Sequence, residues 1–422
     1  MTTAAGRRSA PTAASTHSIA PFALVTASLT GDTVTAFDAT RAWAEFEQLL
    51  RARYGYFKRP GVDGDSILGY FEPAAKRAKT KKDFIDILQV VAHNFADPHF
   101  IVGPFDPTDY SIIPTSADLF AQYRSGEVSL VDVRQDSDAQ AQGLRPGATI
   151  LSIDGRSPTA AIERLMGRPI SSLSTTQINT GLNIALAGIR NQPRRVQIKS
   201  QPANQTYTLR PTAELVKQLR SDSLLRVGRQ GDVSIIRFNN SLGNNQTISA
   251  FRTALLGVQD TRLLMLDFRN TPSGGNTTVA RSIMGHFVEQ EMPYQVHMVP
   301  SEERLFGVPR KFVEYVLPIR PFYRGRVVAL GGYWTGSMGE GLLIGFDAIG
   351  AKTAGAGLAD LLGALFNETL ATSSAKVDLG EEMLFHINGQ PRESFVPAIY
   401  LEAPEGRAGH DPLVELVIST LR

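Results

Sequence analysis

Ser337 lies in the run Thr335-Gly336-Ser337-Met338-Gly339-Glu340, between the β-branched stretch Arg326-Val-Val-Ala-Leu330 and the apolar residues Leu342, Leu343 and Ile344. Strand, glycine-rich turn and buried helix in that order place a hydroxyl at a strand-to-helix junction. Free backbone N–H groups and the positive end of the helix dipole then lie within reach of a developing oxyanion, which suits a nucleophile. Ser337-x-x-Glu340 is equally a capping box, in which the hydroxyl only satisfies the backbone N–H of Glu340. Taken locally, the capping serine is the commoner of the two. Cysteine is absent, so a thiolate nucleophile, thiolate metal ligands and disulfides are excluded. His17, His93, His286, His297, His386 and His410 show no paired metal-ligand spacing, and no metal is expected. Glycine-rich stretches after Leu330 and Ala354 lack the Gly-Lys-Ser/Thr ending of a phosphate loop, and no nucleotide cofactor is expected.

The elements that would position Ser337 follow from periodicity. Trp43, Phe46, Leu49 and Leu50, then Phe84, Ile85, Ile87 and Leu88, recur at spacings of three and four, so residues 33–105 read as a helical segment closed by Asp97-Pro98-His99. Residues 110–210 change character. Short β-branched runs such as Val128 to Val133 and Val196 to Lys199, separated by Gly and Pro turns, predict a small β-rich module. From residue 225 to 422, strands at Val233 to Phe238, Leu263 to Phe268 and Val327 to Leu330 alternate with helices at Ile248 to Leu256 and Thr278 to Phe287. That rhythm predicts crossover α/β units on a largely parallel sheet.

Composition agrees with several domains in 422 residues, 42% of them hydrophobic and 20% charged. Lys plus Arg number 43 against 41 Asp plus Glu, which supplies no basic stripe and so gives no reason to expect a nucleic-acid partner. The apolar stretch from Leu342 to Phe366 is broken by Asp347, Lys352 and Asp360, so no membrane-spanning segment is expected. Residues 1–32 read as a flexible tail, with Arg7 and Arg8 followed by Ala, Ser, Thr and Pro rather than a clear signal peptide. Oligomeric state is not legible.

Longer stretches carry a resemblance. Ser137-Asp-Ala-Gln-Ala-Gln-Gly143-Leu144-Arg-Pro-Gly147 through Ile153-Asp154-Gly155 resembles the helix-and-turn stretch of PDZ domains, with Ala148 where Asp is usual. Leu263-Leu-Met-Leu-Asp267-Phe-Arg269-Asn270-Thr-Pro272-Ser-Gly274-Gly275 resembles the "LILDLRxNxGG" strand and turn of the tail-specific, or C-terminal processing, serine peptidases. The turn at Ser337 is similar to that family's "TxSxxE", and Gly350 to Gly357 to its "GExTxGxG". The order of helical segment, PDZ-like module and core is also the family's, so the resemblance covers nearly the whole chain after the tail. It implies a ClpP/crotonase-like α/β core carrying an inserted PDZ-like module, and an exported, periplasmic or extracellular enzyme. Its substrate would be extended polypeptide, with the module engaging the substrate's C-terminus.

Two catalytic arrangements occur in that family and in the related tricorn-core peptidases. The lysine of a Ser-Lys dyad would fall at Ala356, and Lys352 is in the same loop at the wrong position. The resemblance therefore implies the Ser-His-Glu constellation, with Ser337 as nucleophile, His99 of a "DxH" stretch as general base and Glu393 as the carboxylate. For the oxyanion, the N–H groups of Met338 and of Gly274 or Gly275 are the expected donors. Asp97 is expected only to close a helix. Phe395 and Ala398 depart from the pattern around Glu393, and Trp334 crowds the nucleophile turn. These departures leave open a non-catalytic binding protein for an apolar ligand or peptide on the same fold.

Overall fold

In the computed structural model, which describes residues 37–421 apart from 222 and 408, the chain opens on helices. The expected tail of residues 1–32 lies outside these residues. Helix Ala39–Arg53 begins where the Asp38 carboxylate accepts the Arg41 N–H, and helix Lys81–Asn94 begins with a Thr80/Asp83 capping box. Their apolar faces meet: Trp43, Phe46 and Leu50 share one buried cluster with Phe84, Leu88 and Val91. Each such side chain contributes about 1.5–3 kcal/mol by leaving water. The second helix stops because Ala96 takes a left-handed φ of 50° and Pro98 follows, which turns the chain into strand Ile101–Gly103.

The six-stranded sheet runs Ile399–Tyr400, Lys352–Gly355, Arg326–Gly331, Leu263–Asp267, Val233–Phe238, Leu225–Gln230. All neighbours pair in parallel except the last, which closes one edge antiparallel, in keeping with the largely parallel sheet expected. Alternate residues of each strand face opposite layers. Leu264 and Leu266 join the cluster beneath helices Gln246–Leu256, Thr277–Met284 and Met338–Ala348, whereas Leu263 and Met265 meet helix Pro412–Leu421.

A second, antiparallel sheet is absent from the sequence reading. It orders Lys311–Val316, Met292–Met298, Lys376–Phe385 and Ala364–Thr369, and Ile101–Gly103 adds to Lys376–Phe385 with Lys376 opposite Gly103. Its outer strands are largely exposed, and their apolar residues come in adjacent runs such as Phe312-Val313 and Ala364-Leu365-Phe366 instead of alternating with polar ones, so they give no period-2 signal. This sheet matters to the site because it anchors the chain immediately after His99.

Segment 110–210 holds its own apolar cluster, which joins the hairpin Leu119–Arg124 and Glu127–Val133, strands Ile150–Ile153, Arg194–Ile198 and Gln205–Leu209, and helices Pro158–Met166 and Thr175–Ala187. Among the described residues, no helix is long and apolar enough to cross a membrane.

Candidate active site

Register brings two turns together. Asp267 lies opposite Leu330 in the parallel pair, so the chain leaves both strands at the same level, at the carboxyl end of the sheet where open α/β sheets place their ligands. Thr271 then bridges to Thr335: the Thr271 N–H donates to Trp334 O at 3.2 Å and the Gly336 N–H to Thr271 O at 3.2 Å. Both threonine hydroxyls donate to Phe268 O, at 2.8 and 3.0 Å. Backbone bonds, backed by the two threonine hydroxyls, thus fix the turn 270–275 against the turn 332–337.

Ser337 sits where these turns meet, at φ 51° and ψ −113°, immediately before helix Met338–Ala348. A left-handed non-glycine residue at such a junction costs about 1–3 kcal/mol, and the surrounding bonds hold it there. Gly274, at φ 62°, lies directly against it: a Cβ added there would stand 2.3 Å from Ser337 Cβ and 2.8 Å from Ser337 Oγ. Only glycine fits. The Gly274 N–H is spent on Thr271 O at 3.0 Å, whereas those of Met338 and Gly275 have no protein acceptor among the described residues.

Glu340, read from sequence as half of a capping box, has a larger part. Its Oε2 accepts the Ser337 N–H at 2.7 Å and stands 3.6 Å from an Arg392 nitrogen, fully buried. Burial pushes its carboxyl up to about 8, against the pull of Arg392 and with help from Asp360.

His99 approaches from the other side. Its imidazole is buried, and Nδ1 lies 3.0 Å from Leu362 O. A carbonyl only accepts, so Nδ1 carries the proton and Nε2 keeps its lone pair. Burial, and then the nearby Arg392, lower its pKa to about 4, so the ring is neutral at pH 7. Asp97 is more than the helix-end residue expected of it. Buried, it accepts from the His99 N–H at 2.9 Å, the Leu362 N–H at 3.1 Å and the Tyr54 hydroxyl at 2.8 Å, which locks the histidine backbone to the loop carrying its carbonyl partner. Burial pushes Asp97 up to about 6.

That loop, residues 358–363, links the two sides. The Ala359 N–H donates to Thr335 O at 3.1 Å, and the Leu361 side chain lies against Gly336. The Arg392 guanidinium bonds to Leu361 O and, at 3.3 Å, to Gly363 O. Asp360, at φ 56°, opens onto a cavity of about 360 Å³ whose walls include Trp334, Leu362, Phe120, Asn179 and Glu393. Water reaches the Asp360 carboxyl, yet protein surrounds the cavity, and this enclosure followed by the Glu393 charge pushes its pKa up to about 7.

The expected residues therefore fall into two sets. Ser337, Met338, Gly274 and Gly275 converge through backbone, whereas His99 meets the loop 358–363 at Leu362 O and Glu393 lines the cavity with Asp360 and Leu362 of that loop. Among the described residues no hydrogen bond joins His99 to Ser337 or to Glu393, and the imidazole is oriented by the Leu362 carbonyl. Sequence reasoning did not single out Asp360, Arg392 or the bracing of Asp97. For Arg392 the only signal is its position beside Glu393.

No protein-family model matches the chain, and no curated protein sequence does. Solved structures do match. Mature CPAF complexed with lactacystin superposes at TM-score 0.59 with 14% identity, covering 86% of this chain and 93% of that one. The photosystem II D1 C-terminal processing protease superposes at TM-score 0.54, also with 14% identity and covering 86% and 93%. The chain shares their fold.

Proposed function

We propose that the protein is a serine endopeptidase acting on extended polypeptide, with Ser337 as nucleophile and His99 as general base. The observation that carries this reading is the strained Ser337 held against Gly274, with the Met338 and Gly275 amides uncommitted beside it. The sequence resemblance to C-terminal processing peptidases and the fold shared with one of them support it. In the same reading the parallel-sheet core is crotonase-like, segment 110–210 is a PDZ-like insert, and the protein works outside the cytoplasm.

Nε2 of neutral His99 takes the Ser337 proton as Oγ attacks the substrate carbonyl. The tetrahedral oxyanion collects hydrogen bonds from Met338 and Gly275, and the first turn of helix Met338–Ala348 adds its dipole. Collapse of the intermediate breaks the peptide bond, with the imidazolium returning its proton to the leaving amine. Water then attacks the acyl-enzyme, its proton passing to the same Nε2, and the ester bond breaks as the imidazolium returns that proton to Ser337 Oγ and releases the carboxylic acid product. The Leu362 carbonyl keeps the tautomer throughout, and Glu393 supplies negative charge for the transient imidazolium from the cavity side. The bond between His99 and Ser337 forms as substrate closes the cleft, since catalytic hydrogen bonds often tighten only in the bound complex.

The test is labelling by a fluorophosphonate probe together with cleavage of a quenched, unstructured peptide. Wild type is expected to do both, and Ser337→Ala neither. A folded wild-type protein that is neither labelled nor active favours the second reading, a non-catalytic binder. The apolar walls of the cavity, among them Leu119, Phe120, Trp334 and Leu358, support that alternative.

A further inference from the structure

A sheet edge is a template for another strand, because its outward N–H and C=O groups lack partners, and peptide-binding modules exploit this by adding the peptide as an extra strand. In segment 110–210 the strand Leu119–Arg124 pairs on one side with Glu127–Val133. Its other edge faces helix Thr175–Ala187, and there the groups of Ala121 and the Tyr123 N–H are taken. Asn183 Oδ1 accepts the Ala121 N–H at 2.9 Å, and its Nδ2 donates to Ala121 O at 3.0 Å. One turn earlier, Asn179 Oδ1 accepts the Tyr123 N–H at 2.8 Å. The match is geometric. Four residues of helix rise about 6 Å and two residues of strand span about 6.6 Å, so carboxamides at i and i+4 meet successive outward-facing residues of the strand.

Two amides of the loop that leads into this strand are also committed. A site for a terminal carboxylate needs free amides, but the Ser116 N–H donates to Ile112 O at 2.9 Å and the Ala117 N–H to Pro114 O at 3.0 Å. Asp118, at the strand's start, is a buried carboxylate already paired with Arg194. Meanwhile the loop is bolted to the turns of the candidate site: the Arg134 guanidinium donates to Thr115 O, Ala117 O and Asn270 Oδ1, and the Trp334 indole N–H to Ala117 O.

We infer that segment 110–210 reads no chain terminus: Asn179 and Asn183 close its strand edge at Ala121 and Tyr123, where an added peptide strand would have to pair, and it serves as a fixed wall of the cavity, which selects substrates by an internal side chain. The substrate half of this inference rests on the peptidase reading, whereas the closed edge rests on hydrogen bonds alone. The same two asparagines line the cavity together with Trp334 and Glu393, so a side chain seated there would meet both the wall and the candidate site.

Two measurements on the full chain test it. Cleavage of a quenched unstructured decapeptide is compared with cleavage of its C-terminal amide. Values of kcat/KM within about twofold are expected, and a tenfold or greater preference for the free acid overturns the inference. Amide hydrogen exchange probes the edge directly. Both Ala121 and Tyr123 are expected to be protected in wild type, and Asn179→Ala, a partly exposed position, is expected to speed exchange at Tyr123 at least tenfold while Ala121 holds. Rapid exchange at both amides in wild type, or no change at Tyr123 in the variant, removes the closed edge. Failure to cleave either peptide instead sinks the peptidase reading, and the exchange result then still decides whether the edge is closed.

Discussion

The two sides of the candidate site are built differently. On the nucleophile side, two turns leave adjacent parallel strands at one level, and main-chain bonds from Thr271 to Trp334 and Gly336 fix their contact. On the base side, His99 is held by side chains and loops from distant parts of the chain: Tyr54 and Asp97 beneath it, Leu362 beside it, and Arg392 pinning the loop to Glu340. A site half made of backbone tolerates little change in shape. A half made of side chains is adjustable, and its electrostatics rather than its sterics are expected to respond to mutation.

Substitutions and pH can break this contrast. Ser337→Ala, which removes the attacking atom, is expected to lower kcat/KM by about 10⁴-fold or more with an unchanged circular dichroism spectrum, and residual peptide cleavage within tenfold of wild type would remove Ser337 from the chemistry. Gly274→Ala places a methyl 2.3 Å from Ser337 Cβ at a left-handed φ. The turn must move, and the expected loss in kcat is about 10²–10³-fold, comparable to removing an oxyanion donor, with a lower melting temperature. An unaltered kcat would mean that the two turns are not the rigid half. The pH profile of kcat/KM examines the other half. Protonated His99 cannot accept the serine proton, so activity is lost as pH falls through its pKa, which burial and Arg392 set at about 4. Most of the neutral activity should remain at pH 5, where an imidazole of ordinary pKa would leave about 3%. An acid limb near pH 6.5 would show that His99 of the free enzyme is solvated or paired with a carboxylate. Glu393→Gln should be mildest, about tenfold or less in kcat/KM, because the Leu362 carbonyl already holds Nδ1. A loss of 10³-fold would make Glu393 the orienting partner and the Leu362 bond incidental.

The same contrast explains how much was legible in the sequence. The strands Val233–Phe238, Leu263–Asp267 and Arg326–Gly331 announce themselves as short apolar, β-branched runs, and glycines mark the turns that follow two of them. Local patterns thus located the backbone half. The base side leaves no such trace. Asp97 looks like a helix-end residue until Leu362, 265 positions later, donates to it. Asp360 falls in a stretch whose composition suggests only a loop, and its altered acidity arises from Glu393 and the enclosing cavity. Arg392 bonds to carbonyls whose positions exist only after the loop 358–363 folds. The antiparallel sheet escaped because exposed strands have no hydrophobic period.

The backbone angle at Ser337 limits which other nucleophiles this turn could hold. At φ 51° a branched Cβ brings a second heavy atom against the chain, and the left-handed region is costly for β-branched side chains. Threonine, although it offers the same functional group, is thereby shut out, whereas cysteine, with a single heavy atom on Cβ, meets no such barrier. Selection at this position acts on branching as well as reactivity.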